Sequence, residues 1–181
     1  MSTRYFGAMA AGRPRPPIRS APARTKRAPA RSRALPNPIA VPVERVMIAV
    51  PRSDLGAAVP VEGWVLRWRE LPPSQNEIMR RYRNPHTYDQ LLASWEKVIG
   101  DLMMVGRIPR AAGRRRLEIV RYYRAEKYRL DRGNLVGGCK PVLDAAVRCG
   151  LIVDDREDHL DDHYRQVLDA DERVEIYVCD V

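Results

Sequence analysis

Two groups of aspartates flank one short helical pattern in the second half of the chain, and this arrangement constrains the fold more than any other feature. Asp131 precedes the pattern, and Asp154 and Asp155 follow it. A chain that folds back after such a helix can bring both groups of carboxylates into one acidic pocket. Pockets lined by several carboxylates bind divalent metal ions, so the sequence predicts a cation site here.

The positive charge of the chain is concentrated at its N-terminus. Residues 1–40 contain nine of the 32 basic residues, no acidic residue and seven of the fifteen prolines. Such a segment buries little apolar surface, so we predict a disordered basic tail over residues 1–45 and a folded domain over 46–181. Two interpretations of the tail stay open. It either holds DNA non-specifically, or reflects a start upstream of a domain that begins at Met47; a transit peptide fits less well because proline prevents its helix.

Nothing in the composition indicates a secreted or membrane protein. No apolar segment follows the first basic residues as in a signal peptide, and none approaches the roughly 18 apolar residues of a membrane span. The three cysteines, Cys139, Cys149 and Cys179, are odd in number and lack C-x-x-C spacing. Neither a disulfide framework nor a structural zinc site is therefore indicated, and we expect a soluble, cytoplasmic protein.

Apolar periodicity predicts an α+β fold, in which two helices pack on a mixed sheet. The first predicted helix runs from about Tyr88 to Met104, with Thr87 as its cap, and its apolar stripe includes Trp95. The second runs from Gly138 or Cys139 to Cys149 and ends at Gly150. A loop is expected between Asn76 and Tyr88. Strands are predicted at residues 64–68, 114–123, 151–153, 174–178 and, despite its charges, 160–168.

The candidate metal ligands are Asp131, Asp154 and Asp155, and Asp131 and Asp155 are also candidate catalytic groups. Cleavage of a phosphodiester by two metal ions requires oxygen ligands that hold the cations roughly 4 Å apart. Mg²⁺ keeps several of its waters, so three or four carboxylates suffice, and Mn²⁺ is a possible substitute. In an extended strand only one of Asp154 and Asp155 could face Asp131, but both could do so at a strand end.

Lys140 is the third candidate catalytic group. It precedes Asp144 by four residues, the poorer orientation for a helical ion pair, which leaves it available to neutralise charge on a phosphate. Asn134 could cap a helix or bind a metal-bound water, and the sequence does not decide between these roles. His159 and His163 are four residues apart, but their strand or loop context does not favour a zinc site.

Arginines are grouped at two places where they could contact DNA phosphates. Arg80, Arg81 and Arg83 surround Tyr82, whose ring could stack on an unpaired base. Arg114, Arg115 and Arg116 open the second predicted strand, and the alternative for this run is a solvated strand end.

The segment around these acids resembles the RusA-like Holliday junction resolvases. That family's signature is D-x-D-N, a lysine-bearing helix with a D-A-L-like stretch, then glycine, two apolar residues and a D-D pair. This chain has D-R-G-N, K-P-V-L-D-A-A-V and G-L-I-V-D-D in the same order, and Pro72-Pro73-Ser74-x-Asn76 is similar to the family's opening loop. The resemblance covers roughly residues 64–178.

The resemblance implies a homodimeric, Mg²⁺-dependent endonuclease that cuts four-way DNA junctions symmetrically and needs no small-molecule cofactor. It also implies that Asn76 and Asn134 lie near the DNA. Two departures stand out: Val136-Gly137-Gly138 lengthens what we interpret as a turn, and Gly133 stands where the family has its second aspartate. Either the remaining acids, helped by Asp144 or a backbone carbonyl, still support slow cleavage, or the protein binds junctions without cutting them.

Overall fold

The structure, a computed structural model, describes residues 43–51 and 58–181. Its single sheet has five strands in the order β1-β2-β5-β3-β4. The strands are β1 Glu44–Pro51, β2 Ala58–Trp68, β3 Arg115–Tyr123, β4 Leu160–Leu168 and β5 Arg173–Asp180. The helices are α1 Gln75–Arg81, α2 Pro85–Gly106 and α3 Arg132–Cys149, and a short 3₁₀ turn covers Glu126–Tyr128. The predicted basic tail lies outside the described residues, apart from its last three positions, 43–45.

The sheet is mixed, as predicted. β4 lies parallel to β3 at one edge, whereas the pairs β1–β2, β2–β5 and β5–β3 are antiparallel. β1 begins at Glu44, so the boundary predicted at residue 46 and the alternative start at Met47 both fall within this strand.

Helices α2 and α3 pack on one face of the sheet and form the main apolar core with it, whereas α1, which has no buried residue, lies against α3. Trp64, Leu66 and Trp68 alternate along β2, and all three are buried in this core, which confirms the predicted strand and its face. The apolar stripe of α2, including Trp95, packs into the same core. The α+β class is therefore confirmed, with a third helix, α1, that the sequence analysis did not predict.

Part of the predicted 76–88 loop is helical. Ser74 caps α1 by accepting a hydrogen bond from the backbone N–H of Glu77 at 3.2 Å. Helix α2 then begins at Pro85 rather than at Tyr88, because Asn84, not Thr87, is its N-cap and accepts from the N–H of His86 at 3.0 Å. Proline suits the first position of a helix, since its missing N–H would have no partner there.

Helix α3 begins six or seven residues earlier than predicted. It starts at Arg132, with Asp131 as its N-cap, and it includes residues 136–138, which we had expected in a turn. The lack of side chains at these glycines allows close packing, because a Cβ on Gly138 would collide with the carbonyl oxygen of Pro73. Gly137 approaches the side chain of Gln75 in the same way. Absent side chains thus let the connector before α1 lie against α3.

The strand predicted at residues 151–153 is wrong. Gly150 ends α3 with a φ of 76°, as predicted for a C-terminal glycine. The next two N–H groups, of Leu151 and Ile152, then donate to the carbonyl of Ala146 at 2.8 and 3.3 Å. Both side chains are fully buried. These two residues therefore pack into the core at the end of the helix and do not form a strand of the sheet. The other four predicted strands are confirmed, including 160–168.

Gly138→Ala should destabilise the protein by about 1–3 kcal/mol, because the added methyl group meets rigid backbone at Pro73. Urea denaturation measures this change. Gly133→Ala is the matched control in the same helix, since its Cβ would meet only Asp131 Oδ1 at 3.4 Å. The control should be neutral or slightly stabilising, as alanine is the better helix residue. Equal effects at the two positions would contradict the packing role of Gly138.

Candidate functional site

An acidic cleft of about 340 Å³ lies beside the middle of α3. Lys140 is at its centre: its amine contacts Asp144 Oδ1 at 2.8 Å and also bonds Asp155 Oδ2. Asp154 lines the same cleft. The hydroxyl of Tyr88, from α2, donates to Asp144 Oδ2 at 2.8 Å. The structure thus brings Lys140, Asp144, Asp154 and Asp155 together in one cleft.

The protonation of these groups follows from their contacts. The hydrogen bond from Lys140 lowers the pKa of the Asp155 carboxyl. Partial burial alone would lower the pKa of Lys140, but bonding to Asp144 and Asp155 outweighs it and raises that pKa. Burial, together with the bond to Asp144, raises the pKa of Tyr88 to about 12. At neutral pH the lysine is therefore a cation held between two carboxylates.

Asp131 does not join this cleft. Its Oδ1 accepts the backbone N–H of Asn134 at 2.9 Å, and its Oδ2 accepts the side-chain amide of Asn134 at 2.6 Å. These bonds lower the pKa of the Asp131 carboxyl. It lines a separate cleft of about 670 Å³ with Asp162, Tyr164 and others. Nine residues of helix separate Asp131 from Lys140, about 14 Å along the axis.

The predicted three-carboxylate metal site is accordingly not assembled in this structure. Within residues 43–51 and 58–181, no three His, Cys, Asp or Glu side chains are grouped closely enough to hold one metal ion. The donor chemistry of Asp154 and Asp155 suits Mg²⁺, but their partner in the cleft is a lysine rather than Asp131. Gly133 offers no ligand.

Asn134 joins the two segments that meet at the start of α3. While its amide nitrogen donates to Asp131, its Oδ1 accepts the backbone N–H of Asn76 at 3.1 Å. The motif around Asp131 and the opening loop around Asn76 therefore touch, although 58 residues separate them. Asn134 acts here as a structural link, and of the two roles that the sequence left open the structure shows neither: Asp131 is the cap. The side chain of Asn76 stays exposed.

The predicted arginines divide into exposed and buried groups. Arg80, Arg81 and Arg83 are exposed at and after the end of α1, and Arg81 pairs with Glu77 at 2.7 Å. Arg114 is exposed as well.

Arg115 and Arg116 require a correction, because both are buried. Arg115 is 1% exposed and donates to Asp180 Oδ1 at 2.7 Å and to the carbonyl of Leu151 at 2.8 Å. Arg116 is 9% exposed and pairs with Asp161 at 2.7 Å. Their guanidinium groups hold the sheet to neighbouring segments and are not offered to DNA in this structure.

The sequence analysis missed three exposed bases in the segment just before and at the start of α3. Lys127, Arg129 and Arg132 are exposed, and Arg129 borders two neighbouring clefts. Together with the exposed bases around α1 they form what we call the basic surface, which comprises Arg80, Arg81, Arg83, Lys127, Arg129 and Arg132. All three belong to residues 107–132, a stretch rich in basic residues, in which the run Arg114–Arg116 is denser than the scattered bases that follow it.

In the part of the chain that the structure describes, no helix is both apolar enough and long enough to cross a bilayer.

Asp131→Ala should destabilise the protein by about 1 kcal/mol, because α3 loses its N-cap. Asp131→Ser should retain most of that stability, since serine is also a good cap. Thermal or urea unfolding measures both variants. A side chain that served only as a metal ligand would give no such difference, so equal stability of the alanine and serine variants would contradict the capping role.

Comparison with known proteins adds no family to this picture. No protein-family model matches the chain, and no curated protein matches it at a significant level. The resemblance to RusA-like resolvases rests on the motifs quoted above and on where the structure places them.

Proposed function

We propose that this protein binds branched DNA, as a RusA-like protein in which metal-dependent cleavage is weakened or lost. One observation carries the proposal: the motifs that make up the resemblance all meet along α3. The opening loop contacts α3 at Gly138 and Asn134, and the D-D pair contacts it at Lys140. Four motifs spread over more than eighty residues thus lie on or against one helix.

The basic surface lies at the same end of α3. Arg81, Lys127 and Arg129 line one cleft, so the two segments that carry the six exposed cations lie next to each other. Arginine pairs well with phosphate oxygens, and displacing counterions from DNA gives strong but salt-dependent binding. Tyr82 stands among these bases and is partly exposed, so its ring is placed to contact an unstacked base.

Mg²⁺-dependent or Mn²⁺-dependent cleavage of four-way junctions is the second candidate. The specific observation in its favour is the cleft in which Asp144, Asp154 and Asp155 surround Lys140. In this candidate Asp144 takes the place of the absent second aspartate, and the three carboxylates have to move closer together on metal binding, because in this structure no three such side chains of the described residues are grouped around one ion position. The separation of Asp131 from this cleft is the reason to rank cleavage below binding.

A homodimer in the cytoplasm belongs to the same proposal. A four-way junction has two equivalent halves, and two identical binding surfaces related by a two-fold axis match that symmetry. The expected size of the assembly is therefore two chains for each junction, which light scattering of the complex measures.

Binding should be stronger for a four-way junction than for duplex DNA of the same length, in a gel-shift assay with Ca²⁺ present. Replacing Arg80, Arg81 and Arg83 together by Gln should weaken binding about tenfold or more, and should lower the slope of log K against log salt by up to about three. The matched control removes three exposed cations elsewhere, Arg45, Lys97 and Arg107, and should change binding little. Equal weakening by both triple variants, or no preference for branched DNA, would contradict the proposal.

Gly133→Asp tests whether cleavage can arise from a metal site around Asp131, at the start of α3, rather than from the cleft at Lys140. A carboxylate at position 133 would lie next to Asp131, in the first turn of α3, where negative charge is favoured. If the rest of the site can bind metal, junction cleavage in Mg²⁺ should rise by about two orders of magnitude. Gly133→Asn is the control, because its amide is a poorer ligand for the metal. If the aspartate variant gains no cleavage, a metal site around Asp131 is contradicted, and DNA binding remains the proposed function.

A further inference from the structure

A cleft of about 400 Å³ opens between the connector before α1 and the segment before α3. Its walls are residues 70–74 and Tyr82 on one side and residues 127–130 on the other. Its volume falls within the range of about 300–1,000 Å³ that small-molecule sites occupy. Four cationic and two acidic side chains line it, which leaves an excess of two positive charges: Arg81, Arg121, Lys127 and Arg129 against Glu70 and Glu77.

Arg121 makes this cleft unusual. It projects from the helix-facing side of β3 and is 7% exposed. Its Nη1 donates to the carbonyl of Tyr128 at 3.0 Å, while its Nε is buried and has no hydrogen-bond partner among the residues that the structure describes. Burial lowers the pKa of its guanidinium, and the attraction of Glu172 only partly offsets this. A guanidinium still remains charged at neutral pH, so a buried cation lies at the cleft without full compensation.

The other buried charged residues of the described chain each have an ion-pair partner that compensates their charge. Four charged residues are buried there, and three of them have an oppositely charged partner within 4 Å. These pairs are Arg115 with Asp180, Arg116 with Asp161, and Glu175 with Arg67 and Arg173. Arg121 is the exception among the residues described. Because an isolated buried charge is unfavourable, this position suits an anion that comes from outside the chain.

A second residue that lines the cleft also has a buried donor. Trp95 lines the same cleft, and its Nε1 has no partner among the described residues. The acids of the cleft do not supply what is missing. Glu77 forms an ion pair with Arg81 at 2.7 Å. Burial raises the pKa of Glu70, which disfavours the negative charge of that side chain. Lys127 and Arg129 stand exposed at the rim, on the segment that also borders Asp131.

We propose that this cleft binds a phosphate group of a nucleic-acid strand, with Arg121 at its base and Lys127 and Arg129 at its rim. The inference rests on the proposed DNA-binding function for the source of the phosphate, although the site itself is defined by charge and unpartnered donors. Arginine and lysine give a phosphate both hydrogen bonds and charge neutralisation. The cleft then fixes one strand next to the basic surface, beside the start of α3.

The first experiment uses inorganic phosphate and the folded full-length chain. The indole N–H signals of the three tryptophans are followed by NMR, and Trp95→Phe identifies the signal of Trp95. Phosphate should shift the Trp95 signal saturably, whereas chloride at equal ionic strength should not. Lys127→Gln combined with Arg129→Gln should weaken phosphate binding at least tenfold. Arg45→Gln, which removes one exposed charge from β1, should leave it unchanged.

Arg121→Met tests the buried cation directly and should abolish the phosphate-dependent shift. Because Arg121→Met could lose stability, its folding is checked by the dispersion of its NMR signals. If Arg121→Met unfolds, the variant with both Lys127→Gln and Arg129→Gln, called the rim variant, still tests the site. No saturable shift in the wild-type protein, or an equal loss of affinity in Arg45→Gln, would overturn the phosphate site.

A second experiment separates this inference from the proposed function. Junction DNA is titrated against the wild-type protein and the rim variant, with and without competing phosphate. A junction that binds with unchanged affinity to the rim variant overturns the phosphate site and leaves the DNA function standing. Phosphate binding without any DNA binding overturns the nucleic-acid source and the proposed function together. Weakened junction binding in the rim variant, with competition by phosphate, supports the inference.

Discussion

The contact between the connector before α1 and the first turns of α3 organises everything that bears on function. It exists because Gly138 has no side chain, so the carbonyl of Pro73 lies directly on the helix. The hydrogen bond from the N–H of Asn76 to Asn134 then fixes the register of the two segments. As a result the exposed arginines at the end of α1 lie near the bases that precede α3. Neither segment alone would present a continuous basic surface.

Charge is distributed unevenly along α3, and this has consequences for how a polyanion would lie on it. The cleft in the middle of the helix has four carboxylates and two cations, and Lys140 is already bonded to two of those carboxylates. The cleft over Arg121, near the start of the helix, has the opposite excess. Phosphates are therefore attracted to the N-terminal end of α3 and repelled from its middle unless a cation binds there. Such a gradient orients a bound strand.

Regular apolar periodicity allowed most of the fold to be predicted. β2, β3, β5 and α2 have clear patterns, and even the charged strand β4 was found, because Leu160 and Tyr164 face the core. The start of α3 was missed because three glycines within six residues favour a turn, and only packing in the folded chain, against Gln75 and Pro73, explains two of them. Leu151 and Ile152 resemble a strand in sequence, but their burial at the helix end depends on tertiary structure.

The site was harder to predict than the fold, for reasons that strand geometry makes plain. In the run Arg114-Arg115-Arg116 only the first side chain is exposed, since β3 begins at Arg115 and its side chains alternate between two covered faces. Arg121 lies on the same face as Arg115, yet only Arg115 has a carboxylate partner within 4 Å in the described chain. The identity of a residue does not reveal whether a partner from a distant segment reaches it. That information exists only in the folded chain.

Gly133 differs in kind from the other two glycines at the start of α3. A Cβ at this position would meet nothing closer than Asp131 Oδ1 at 3.4 Å, so no packing in the structure explains the glycine. It leaves Asp131 as the one carboxylate at the helix start, with both oxygens bonded to Asn134. A second carboxylate there would repel phosphate in the absence of metal, whereas a glycine leaves the positive end of the helix dipole without a further negative charge. The residue that offers no metal ligand at position 133 is therefore compatible with a phosphate group at this end of the helix.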